Sequence, residues 1–246
     1  MEESKKLSSQ KTFKKHLIAC GLFAILVIVF TVLIKTVGVG EVIISEPTGE
    51  VATSTTAQIG FSATNAAIRS SIGYSETWYK ISKYAGYLVF VPVFAFAALG
   101  AYQLFKRKSF KKVDRELRLL IPFYIAVGAV YLFFEKILII NYCPVLRDGV
   151  LKTSYPSSHT LFAMCFCCSA MMITAGLLGK KRLKLAIVIN AALTVLMAIT
   201  VIGRFLSGVH WLTDILGGIF ISCLLLFILA SFLQYRPHKT KKAEEK

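Results

Sequence analysis

His210 and Asp214 stand four residues apart in the segment Gly203-Arg204-Phe205-Leu206-Ser207-Gly208-Val209-His210-Trp211-Leu212-Thr213-Asp214. On a helix beginning near Val209, that spacing puts both side chains on one face, where the carboxylate can accept the imidazole proton and fix its tautomer. The other ring nitrogen is then left unprotonated, as an oriented nucleophile or base requires. Arg204 lies six residues back, a rotation of about 600° on a continuous helix, so a break at Gly203 and Gly208 is needed to bring it round. Taken alone, a satisfied helical pair and a snorkelling arginine explain this segment better.

A second segment, Ser154-Tyr155-Pro156-Ser157-Ser158-His159, precedes a long apolar run. Pro156 suits a first helical turn, so the amides of Ser157, Ser158 and His159 would be unpaired donors at a helix N-terminus, a natural seat for an anion. His159 stands where it could protonate a leaving oxygen. Ordinary capping is the plainer use of such residues. A third segment runs from Glu135 and Lys136 through Asn141 and Cys143-Pro144 to Arg147. Lys136 is a point charge suited to phosphate oxygens. Together the segments hold two histidines, one carboxylate and two to three cations, an inventory for holding and attacking a phosphoryl group. A zinc site on His159, His210 and Asp214 competes for the same residues, but Lys136 and Arg204 would repel the metal.

The elements that must position these residues are membrane spans. Of 246 residues 56% are apolar and 17% charged, yet the net charge is +16, and the mean hydropathy is +0.65. Soluble domains carry about 25% charge, and disorder is excluded by the apolar content. Uncharged runs cover Leu17–Ile34, Tyr84–Phe105, Leu119–Phe134, Thr160–Gly179, Leu185–Gly203 and Ile215–Tyr235. Each reads as a spanning helix, the first an anchor that is retained. Residues 1–16, 106–118, 180–184 and 236–246 hold 21 of the 29 Lys and Arg, making one face +15 and the other +1. The positive-inside rule places both termini in the cytoplasm and all three polar segments outside, and it accounts for the basic clusters better than nucleic-acid binding does.

Only Cys143 of the six cysteines lies in an outer segment, and Cys165-Phe166-Cys167-Cys168 reads as helix packing rather than a metal or redox site. Gly217-Gly218 invites close helix contact. In the outer loop, about 36–83, Ile59, Ala63, Ala66 and Ala67 recur at helical spacing, as do Phe61, Ile68 and Ile72, giving a short interfacial helix. Trp78, Tyr79, Tyr84 and Tyr87 read as an interfacial aromatic belt.

At these residues the chain resembles the type 2 phosphatidic acid phosphatase and vanadium haloperoxidase superfamily, in its six-span bacterial lipid phosphatase branch. That pattern is Lys-x6-Arg-Pro, then Pro-Ser-Gly-His, then Ser-Arg-x5-His-x3-Asp. Here Lys136 is followed by Cys143 and Pro144; Pro156, Ser157 and His159 match, with Ser158 for Gly; Arg204, His210 and Asp214 match, with Gly203 for Ser. The resemblance implies a metal-independent phosphatase that needs no cofactor. His210 would form a phosphohistidine, Asp214 would orient it, and His159 would protonate the leaving group. Lys136, Arg204, Ser157 and Ser158 would cradle the phosphoryl oxygens. Cys143 removes a charge-assisted contact, a loss of ~1.5 to 3 kcal/mol or roughly 10 to 200-fold in rate. Arg147 is the residue that could stand in, and restoring Arg at 143 is expected to raise activity.

The expected protein is therefore an all-α, six-span enzyme of the cell membrane with its site at the extracytoplasmic helix ends. Residues 1–16 and 236–246 are basic cytoplasmic tails around a membrane domain at 17–235, whose phosphatase-like core covers about 80–235. Its substrate would be a lipid phosphate: a polyprenyl diphosphate, phosphatidylglycerol phosphate or phosphatidic acid. The rivals are a lipid-phosphate binding or transport protein impaired at Cys143 and a zinc-dependent hydrolase. Neither the oligomeric state nor the role of the outer loop is legible.

Overall fold

The structure is a computed structural model that describes residues 2–47, 54–147 and 149–234, without the side chains before Lys15 or that of Lys180. The C-terminal basic tail and most of the N-terminal one thus lie outside the described side chains. Among the described residues six helices are long and apolar enough to cross a bilayer: Lys15–Thr36, Glu76–Arg107, Arg115–Ile137, Ser158–Leu178, Leu183–Leu206 and Leu212–Gln234. Each contains one of the uncharged runs or nearly all of it. The second begins about two turns before its run, because polar Glu76, Lys80 and Lys83 are helical too.

The chain order is α1 (Glu2–Thr36), a hairpin of β1 (Gly40–Ser45) and β2 (Ser54–Ile59), α2 (Ser62–Ile72), α3 (Glu76–Leu88), α4 (Val91–Arg107), α5 (Arg115–Leu132), α6 (Ser158–Leu178), α7 (Leu183–Leu206) and α8 (Leu212–Gln234). α3 and α4 form one bent span. Ser75 caps α3 by accepting from the Trp78 amide at 3.4 Å, and Pro92 opens α4 after the break at Val89 and Phe90. α5 ends in a π-helical turn, Phe133–Ile137.

α6 is the centre of the bundle, packing against α3, α4, α5, α7 and α8. Half of its apolar window is buried against 6% for α1, which leans on α8 and leaves Leu17, Ile18, Leu22 and Ile25 exposed. Outward apolar faces of this kind suit hydrocarbon. Leu161, Cys165, Phe166, Cys167 and Ile173 of α6 enter the core, so the Cys-Phe-Cys-Cys run packs as expected, and all six cysteines are free. Packing at the α6–α8 crossing depends on absent side chains: a Cβ on Gly217 would strike the Tyr155 ring, and one on Gly218 would come within 3.0 Å of Thr160 Cβ.

The outer loop is only partly the helix that its spacing suggests. α2 is present, but Ile59 belongs to β2, which pairs antiparallel with β1 from Gly40 opposite Ile59 to Ser45 opposite Ser54. β-Branched residues at 42–44 and 55–56 favour the extended chain. Ile44, Ala57 and Ile59 turn inward onto Leu146 and Trp211. Among the described residues this small sheet and a few isolated bridges, such as Tyr142 with Thr153, depart from an all-α architecture, and the sheet packs on Trp211, the residue that follows His210.

Candidate functional site

Gly208, with φ at +65°, breaks the chain between α7 and α8. Gly203 does not contribute to the break as expected; it lies inside α7, where a Cβ would come within 2.9 Å of Ser82 Cβ on α3. Its missing side chain is what lets α3 and α7 meet. α8 begins at Leu212, later than expected, so His210 precedes the helix instead of sharing its face with Asp214. Capping geometry brings the two together. Asp214, in the first turn, reaches back to accept the Trp211 amide on Oδ2 at 3.0 Å, as the acidic member of a capping box does. Its Oδ1 accepts from Asn141 Nδ2 at 3.2 Å. His210 Nδ1 then stands 3.7 Å from Asp214 Oδ2, just beyond hydrogen-bond length.

Asp214 is fully buried and His210 is 7% exposed. Burial, followed by the charges of Arg147 and Arg204, holds the His210 pKa well below its ordinary value, and the Ser154 carbonyl opposes the shift. At neutral pH the ring is therefore uncharged, with a lone pair to offer.

His159 is in the first turn of α6. Arg204 donates from Nη2 to His159 Nε2, and a Cβ on Gly86 of α3 would collide with the ring. Arg204, His210, Arg147 and Lys83 are close enough to His159 to act on it electrostatically, so the two imidazoles, carried on elements separated by a whole span, lie in one neighbourhood. Arg204 is 1% exposed, and its guanidinium carbon lies 5.3 Å from the Tyr79 ring centroid, a cation–π seat that keeps the group directed inward. Trp78, Tyr84 and Tyr87 are exposed as an aromatic belt would be; Tyr79 belongs to the site instead.

Several buried polar atoms around this point have no hydrogen-bond partner: Nε and Nη1 of Arg204, Nε and Nη2 of Arg147, and Nδ1 of His210. Buried guanidinium donors without acceptors are costly, and the group that satisfies four at once is an oxyanion. The unpaired first-turn amides of Ser158, His159 and Thr160 add donors. The Ser157 amide is not among them: it donates to the Asp214 carbonyl at 3.0 Å, and the Ser157 Oγ accepts from Thr160 at 3.1 Å, so this residue locks the start of α6 to α8.

Lys136 is exposed and is not a principal charged neighbour of either histidine. Glu135 beside it turns inward to accept from Thr153 Oγ1 at 2.7 Å, and adjacent helical residues point about 100° apart. Cys143 is fully buried, with its thiol 3.5 Å from the Thr153 carbonyl. Burial pushes that thiol up to about 11, so it is neither anion nor cation at neutral pH. Arg147 provides the guanidinium on this side.

Residues that the sequence does not single out complete the site. Asn141 is fully buried and accepts the Gly60 amide at 3.2 Å while holding Asp214. Asn65 of α2 donates to Thr213 Oγ1 at 3.0 Å and to the Gly60 carbonyl at 2.8 Å. Trp211 Nε1 donates to the Tyr142 carbonyl at 2.6 Å. The outer hairpin and α2 are thereby joined to the turn that carries His210. Buried asparagines in a loop give no spacing signal that points to this role.

A family model for the PAP2 superfamily matches residues 92–238. The chain belongs to that superfamily. Its fold is similar to that of a transmembrane PAP2 type phosphatidylglycerolphosphate phosphatase from Bacillus subtilis, known from a crystal structure, with a TM-score of 0.54 and 19% identity over 71% of this chain and 86% of that one. Among curated proteins none matches. The six apolar helices and this shared fold identify a multi-pass membrane protein.

Proposed function

We propose that the chain is a lipid phosphatase acting through a phosphohistidine on His210. The observation that supports it best is the set of buried Arg147 and Arg204 nitrogens that lack acceptors beside His210 and His159. A phosphate between Arg147 and Arg204 satisfies those donors. It also draws Arg204 from His159 Nε2 and provides the countercharge that lets this ring carry a proton. His210 Nε2 attacks phosphorus while Asp214 holds the proton on Nδ1; the bond from phosphorus to the leaving oxygen breaks, and His159 gives that oxygen its proton. Water then attacks the phosphohistidine, His159 takes the water proton, and the N–P bond breaks to release phosphate. Positioning and charge do most of the work, as phosphoryl transfer requires.

In this reading the phosphate ligands are Arg147, Arg204 and the first-turn amides and hydroxyl at Ser158, with Lys136 and the Ser157 hydroxyl left out. The substrate is a lipid phosphate monoester or diphosphate presented at headgroup level; polyprenyl diphosphates, phosphatidylglycerol phosphate and phosphatidic acid all fit that description. The site faces outward and both termini are cytoplasmic, by the distribution of Lys and Arg. Two arginines beside both histidines disfavour a bound dication, so a zinc hydrolase is the weaker reading.

Purified protein should release phosphate from one of these lipids in the presence of chelator, and His210→Ala should abolish release. Labelled phosphate trapped on His210 would establish the intermediate. Tight lipid binding without turnover would instead establish the binding or transport role.

A further inference from the structure

At the end of the bundle opposite the histidines, α4 and α5 enclose a cavity of about 290 Å3. All its walls are apolar or aromatic, among them Val93, Phe96, Leu117 and Tyr124. A Cβ on Gly100, part of that wall, would meet nothing within 4 Å. The mouth is formed by Leu104, Phe110 and Ile121, which are 39%, 52% and 50% exposed. The space is thus open toward the surrounding hydrocarbon and is of the size at which ligand pockets begin.

The rim of this opening is cationic. Lys111 and Lys112 share the short helical turn of Phe110, and the Arg118 guanidinium carbon lies 6.0 Å from the Phe110 ring centroid. Arg118 Nε is buried with no hydrogen-bond partner. The neighbouring Asp114 is already engaged: it accepts from Arg107 Nη1 and Gln103 Nε2, each at 2.7 Å. Gln103 Oε1 in turn accepts the Asp114 amide at 2.9 Å. That clamp fixes the turn while leaving Lys111, Lys112 and Arg118 without an ion pair among the described residues.

We infer that this end of α4 and α5 holds one anionic phospholipid, an acyl chain in the cavity and its phosphate against Arg118, Lys111 and Lys112. An uncharged cavity alone would accept any lipid tail. A phosphate oxygen, common to phospholipids, gives Arg118 the acceptor that the protein does not, and the unpaired lysines select a headgroup of net negative charge. The inference is independent of the chemistry at His210.

Native mass spectrometry of the full chain in detergent, titrated with phosphatidylserine or phosphatidylethanolamine, reads this directly. One phosphatidylserine should stay bound, preferred roughly tenfold over phosphatidylethanolamine because only its headgroup adds a carboxylate for Lys111 and Lys112 to hold. Replacing Arg118, Lys111 and Lys112 by Gln should erase the preference while leaving helical content by circular dichroism unchanged. Gly100→Phe, or Gly100→Leu if the larger ring disturbs folding, should fill the cavity and remove retention of both lipids. Equal retention of the two lipids, or a preference that survives the triple substitution, overturns the assignment.

Discussion

Arg147 and Lys136 offer the sharpest contrast at the scale of single residues, since both are cations in the outer segment before α6 and only one is near the histidines. Arg147→Gln should lower kcat/KM by roughly 10 to 200-fold, the cost of a charged hydrogen bond to phosphate; Lys136→Ala should change it little. The same Arg147 substitution carries a pH signature. Removing a nearby positive charge stabilises the imidazolium, so the His210 pKa rises from its depressed position. The neutral nucleophile is then lost at a higher pH, and the acid limb of the kcat/KM profile should move upward. Cys143→Arg, expected from the motif to restore activity, should instead reduce it. The thiol site is fully buried, and forcing a larger side chain into it costs about 1 to 3 kcal/mol before the charge is considered. A gain in turnover would return position 143 to the phosphate site.

Between elements, the site depends on contacts that hold the α7–α8 turn. Asn141 links the outer loop to Asp214, and Asn141→Ala leaves one carboxylate oxygen without that donor at a cost of about 1 to 3 kcal/mol. The expected result is a fall in kcat of about tenfold or more with little change in KM, because substrate contacts are kept while His210 loses its orientation. A parallel fall in thermal stability large enough to explain the rate would argue for a merely structural role. At the α3–α7 crossing, Gly203 and Ser82 exchange bulk. Gly203→Ser restores the family residue but collides with Ser82, so it should impair folding or activity, and adding Ser82→Gly should rescue it. If the double variant is no better than the single one, the two helices are held apart by something else.

For the molecule as a whole, the two ends of the bundle differ electrostatically: one gathers buried arginines whose nitrogens lack acceptors, and the other is flanked in sequence by most of the Lys and Arg. That asymmetry predicts the orientation. A fluorescent protein fused after Lys246 should fold in the cytoplasm and fluoresce, while a cysteine placed at Lys136 should react with a membrane-impermeant thiol reagent added outside intact cells. The opposite pair of results would invert the proposed topology and put the phosphatase site inside.

Much of this was readable in sequence because membrane insertion is a one-dimensional problem: uncharged length decides the spans, and the flanking Lys and Arg decide their direction. The motif residues His159, Arg204, His210 and Asp214 were recoverable by order and spacing, since each sits at a helix end fixed by Pro156 or Gly208. The hairpin, the start of α8, the turning of Lys136 away from the histidines and the service of Asn141 were not. They depend on which buried donor finds which acceptor across distant segments. Linear spacing could nominate the candidate cations, but only the folded chain decided which of them are buried beside the histidines, because direction at the end of a helix is set by its neighbours rather than by its own residues.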